Sequence, residues 1–116
     1  MRNSIELDFK QCLLLPDEMN LDKFIRTHED GLEFLLKKLT KRDWNTRYVA
    51  ALLIYRGYDN PIVVEPIIKS MKKYKNFEDR IGYIFANILA RYKSQKVSEF
   101  ALDAMKKMKN LNVREN

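Results

Sequence analysis

Glycine and proline are scarce in this sequence of 116 residues, which holds three of each. A chain so poor in the residues that punctuate backbone favours long helices over many short strands joined by turns. Cysteine is rarer still. Cys12 stands alone, so no intrachain disulfide can form; that excludes a disulfide-stapled scaffold and points to a reducing compartment, the cytoplasm. No apolar run approaches the roughly 20 residues needed to span a bilayer, and no membrane association is expected. The N-terminal MRNSIELDFKQCLLLP interrupts its apolar residues with Glu6, Asp8 and Lys10, which a signal peptide would not do.

Histidine occurs once, and this thins the chemical inventory. As a general base His28 needs a nucleophile or substrate held beside it, and as a metal ligand it lacks a second His or Cys at a ligand spacing. It lies in RTHEDG, just before Asp30, and is read as a helix-end histidine. Cys12 lies in QCLLLP beside three leucines and is read as a small buried apolar residue rather than an activated thiolate. There is no glycine-rich loop to cradle a phosphate. No catalytic, cofactor-binding or metal-binding residue is assigned, and the chain is expected not to be an enzyme.

What is present suits a folded protein. Apolar residues make up 46% and charged residues 33%, enough for one domain with a single modest core. The net charge of +6 hides a gradient. Residues 1–36 carry four basic and eight acidic groups, a net of −4, whereas residues 37–116 carry eighteen and eight, a net of +10. Such a gradient can draw polyanions to one end and repel them from the other. It also fits an ordinary solvated surface, since lysines and glutamates alternate at helical spacing.

The pattern Glu-x-apolar-apolar-x-x-apolar is written three times: EFLLKKL at 33–39, EPIIKSM at 65–71 and EFALDAM at 99–105. A second element precedes the later two copies. Trp44, Tyr48, Ala51, Leu52 and Tyr55 fall on Phe77, Ile81, Ile84, Phe85 and Ile88, each set one apolar helical stripe, and Arg47 falls on Arg80. The first of these helices also carries Ala50, Leu53 and Ile54 on its other side, so it is expected in the middle of a packed group. Trp44 is assigned to the core.

Local signals fit helices at 43–56, 61–74, 77–92 and 95–108, preceded by 4–14, 17–28 and 31–40. Asp30, Asp43, Asn76 and Ser94 are placed to cap the helices that follow them. Gly57 is expected to end its helix in the left-handed conformation. Asn60-Pro61 opens a helix, and Pro66 is cheapest to accommodate if the helix proper begins near Val64. One pair of such helices cannot bury its stripes alone, but stacked pairs can. The chain reads as complete from Met1, with capping helices at 1–30, repeats at 31–108 and a polar tail at 109–116.

DWNTRYVAALLIYRG followed by NPIVVEPIIKSM resembles a HEAT-type repeat. Asp43, Arg47, Ala50 and Ala51 match the opening of its first helix, and Pro66, Ile67 and Ile68 match the proline and apolar pair of its second. The next unit departs from this, with Tyr83 and Ile84 in place of the alanines and Phe100 where Pro66 stood. The resemblance implies an all-α fold, a short HEAT-like α-solenoid of about three antiparallel helix pairs. Small bacterial HEAT-like proteins also resemble immunity proteins, which mask the active site or substrate groove of a cognate toxin. A fainter likeness to HEAT-like DNA glycosylases fails on length, because wrapping a duplex takes a longer chain.

In a solenoid one helix from every pair lines a common face. Here that face holds Glu65 and Glu99 in one row, Lys69 and Asp103 one turn on, and Lys72 and Lys73 beside Lys106 and Lys107. These eight residues are the candidate partner-binding set, and one partner protein, such as a toxin domain, is the expected ligand. The acidic residues Asp17, Glu18, Asp22, Glu29, Asp30 and Glu33 offer a second, complementary patch for a basic partner. The alternative is nucleic-acid binding through phosphate contacts of the lysines. Oligomeric state is not legible from the sequence.

Overall fold

The computed structural model describes residues 2–92, 97–100 and 103, and their regular structure is all helical. Two compact units follow one another, residues 1–60 and 61–116.

The first unit holds α1 (Arg2–Leu14), α2 (Glu18–Thr27), α3 (Leu32–Lys38) and α4 (Trp44–Gly57). The helix that is apolar on nearly every side is the central one: α4 packs against α1, α2 and α3. Its buried residues are Arg47, Val49, Ala50, Ala51, Leu53 and Ile54. Phe9 and Phe24 are buried beneath the other helices with Leu21, Leu35 and Leu39. Phe9, Phe24 and Phe34 form an edge-and-tilt cluster with centroids 5.5–6.3 Å apart, a spacing at which ring edges meet ring faces favourably. Lys38 closes its rim, with Nζ 4.9 Å above the Phe34 ring, 5.4 Å above Phe9 and 3.5 Å from the Glu6 carboxylate.

Helix ends follow side-chain chemistry. Asp17 accepts from the Asn20 amide at 2.9 Å and Asp43 from the Thr46 amide at 2.9 Å, so both satisfy first-turn donors. Hydrogen bonds from the Thr46 hydroxyl and amide, helped by the Arg47 charge, hold the Asp43 carboxyl below its ordinary value. Two expectations fail here. Asp30 does not cap α3: Gly31 stands at that position, with its amide turned back to the His28 carbonyl at 3.0 Å. Gly57 does not adopt a positive φ. It is the last residue of α4, and Tyr58 ends the helix in extended backbone. The glycine answers a need for space, since a Cβ there would lie 2.5–2.7 Å from the side chain of Ile25.

The second unit opens with a 3-10 turn, Pro61–Val63, that leads into α5 (Val64–Tyr74), followed by α6 (Arg80–Leu89). Pro66 thus sits in the first turn of α5, where its missing N–H leaves nothing unsatisfied. Val64, Ile67, Ile68 and Met71 of α5 are buried, as are Ile81, Phe85, Ile88 and Leu89 of α6, and the two helices pack together. Lys75 ends α5 at φ 55°, ψ 43°, and the Asn76 amide reaches back to the Met71 carbonyl at 3.3 Å. This is a left-handed helix stop made without glycine.

The expected cap Asn76 is also corrected. α6 starts three residues later than Phe77, on Asp79, which accepts from the Gly82 amide at 2.9 Å. Asn76 is buried and spends its Nδ2 on Asp79 Oδ2 at 2.6 Å. The end of α6 tightens instead of running on to residue 92: Arg91 and Tyr92 donate three residues back, to Ile88 and Leu89. The sequence alignment of Arg47 with Arg80 does not hold in place or role. Arg47 is buried and donates from Nη1 to the carbonyls of Lys41 and Arg42 at 3.0 and 2.6 Å, whereas Arg80 is the exposed first residue of its helix. Of the last expected helix, residues 97–100 and 103 are helical; Ser94 lies outside the described residues.

Candidate functional site

The lysine row is built by the period of α5. Burying Val64, Ile67, Ile68 and Met71 turns Glu65, Lys69, Lys72 and Lys73 outward, and all four are exposed. The Lys73 ammonium rests 5.4 Å from the Tyr74 ring centroid. Lys72 reaches to the segment 97–100, its Nζ 5.8 Å over Phe100, whose ring lies 6.2 Å from Phe77. Glu99 and Asp103 are exposed on helical backbone. Lys106 and Lys107 lie outside the described residues. The structure therefore brings Glu65, Lys69, Lys72 and Lys73 onto one exposed helix face, with Glu99 next in sequence to the phenylalanine that Lys72 covers.

His28 and Cys12 take parts within the fold of the first unit. His28 caps the C-terminus of α2 and is buried. Its Nε2 lies 2.7 Å from Asp8 Oδ2, its ring 4.8 Å from Phe24, and its carbonyl accepts from the Tyr58 hydroxyl. One residue thus joins α1, α2 and the end of α4. Burial, with a smaller push from Asp30, raises the Tyr58 phenol to about 12. Cys12 is fully buried, and its Sγ–H faces the Asn20 carbonyl at 3.4 Å. Burial first, then the Asp8 and Asp17 charges, pushes its thiol up to about 11. A thiol so placed is a poor nucleophile at neutral pH.

Two exposures depart from expectation. Trp44 is not a core residue: it is 36% exposed and stacks on Tyr48, with centroids 4.9 Å apart and planes 13° from parallel. Tyr55, on the same stripe, is also exposed. The face of α4 that goes inside holds Val49, Ala50, Leu53 and Ile54. The second departure lies on α1 and the start of α2. Leu7, Leu14, Leu15 and Met19 are 58%, 80%, 57% and 77% exposed. Sequence reasoning grouped the leucines with buried Cys12. The signal available was excess: α1 carries more apolar residues than one helical stripe can hold.

This apolar end is firmly shaped. Asn20 donates from Nδ2 to the Leu15 carbonyl at 2.8 Å and the Gln11 carbonyl at 3.5 Å, receives the Cys12 thiol on its own carbonyl, and gives its amide to Asp17. Exposed charges of both signs share α1, α2 and the turn between them with the leucines and Met19: Glu6, Asp17, Glu18 and Asp22 against Lys10, Lys23 and Arg26. Asp17 and Glu18 follow Pro16 directly; Glu6 holds Lys38, and Asp22 holds Arg56 at 2.9 Å.

Family models, curated proteins and solved structures give no match to the chain. Its candidate surfaces rest on geometry and charge alone. Among the described residues, no helix is long and apolar enough to cross a membrane and no three His, Cys, Asp or Glu side chains converge as a metal site.

Proposed function

We propose that this chain is a protein-binding module, without catalytic activity of its own, that acts by occluding the surface of a partner protein. The observation that carries the reading is the exposure of Leu7, Leu14, Leu15 and Met19 on a hydrogen-bonded helical frame. Water-exposed apolar patches are removed from solvent by protein contacts, whereas a phosphate backbone engages cations and leaves such side chains wet. The exposed Glu65, Lys69, Lys72 and Lys73 of α5 supply a second charged surface of the kind that rims protein interfaces.

In its narrower form the reading makes the chain an immunity protein that blocks a cognate toxin in the cytoplasm. Its helices then stack as antiparallel pairs of a short HEAT-like α-solenoid. The resemblance of residues 43–71 to a HEAT-type repeat supports this version, as does the lone buried cysteine.

Affinity capture from a lysate of the source organism tests the proposal, with the lysate divided into nuclease-treated and untreated halves. A stoichiometric protein retained in both halves is the expected result, and its identity decides the toxin version. Recovery of nucleic acid alone, lost on nuclease treatment and falling steeply with salt, would replace the reading with phosphate binding by the α5 lysines.

A further inference from the structure

We draw no further inference here: the strongest candidate, the exposed apolar patch of Leu7, Leu14, Leu15 and Met19 on α1 and the start of α2, carries none, because exposed charges of both signs share those helices and nothing in the structure shows what covers it.

Discussion

Replacing Gly82 by alanine adds one methyl group in the first turn of α6, where two effects oppose each other. Alanine is the better helix former by about 1 kcal/mol, which alone would stabilise the protein. The added Cβ, however, would lie 2.7 Å from both the carbonyl carbon and oxygen of Phe77 and 2.8 Å from the Asn76 carbonyl oxygen. Carbon atoms in contact settle at about 3.5–4.0 Å, so the 76–77 backbone must retreat by nearly an ångström. That backbone is not free to move. The Asn76 side chain is buried and bonded to Asp79 at 2.6 Å, and the Phe77 amide donates to the Lys75 carbonyl at 3.1 Å. Forcing such a segment typically costs 1–3 kcal/mol. Net of propensity, a loss of up to about 2 kcal/mol is expected, read as a lower urea midpoint with an unchanged slope in the helical circular dichroism signal. A variant stabilised by the full propensity gain of about 1 kcal/mol would refute the close approach of α6 to the 76–77 backbone.

Other outcomes follow from local features. With its thiol near 11, Cys12 should be about 0.1% thiolate at pH 8. Alkylation by iodoacetamide should then be slow in the native protein and fast in urea, and rapid native labelling would contradict the burial. Alkali should destabilise the fold, because Cys12 and Tyr58 are held neutral in it, at about 11 and about 12, and lose protons sooner once unfolded. Stability from these groups is intact below the unfolded thiol value near 9 and declines as pH climbs through the folded values. Urea midpoints measured from neutral to strongly alkaline pH check this, and the decline should be shallower in Tyr58→Phe. Lys75→Gly should raise stability by about 0.5–1 kcal/mol, since glycine enters the left-handed region without steric cost; a lower urea midpoint would speak against the geometry at φ 55°.

The helices themselves were legible because apolar residues recur at helical spacing and few breakers interrupt them. Their ends were not. Asn76 and Asp79 are both good caps by residue type, and only the packed structure shows that Asn76 is buried and spent on its neighbour. The inner face of α4 was hidden for another reason. A helix apolar all round gives no moment to read, so the sequence did not distinguish the inward side of Ala50, Leu53 and Ile54 from the exposed Trp44 and Tyr55. On the candidate surfaces, the α5 charges could be placed from sequence because their helix is cleanly amphipathic. Leu14 and Leu15 could not, since whether a leucine at a helix end turns in or out depends on the turn that follows.

The turn organised by Asn20 separates two kinds of information in the chain. The hydrogen bonds that hold it use the main chain of residues 11, 15 and 20 and the side chains of Cys12, Asp17 and Asn20. The side chains it displays, Leu14, Leu15 and Met19, take no part in them. Substitution at the displayed positions therefore leaves these hydrogen bonds in place, so the character of this surface can change without first putting the fold at risk.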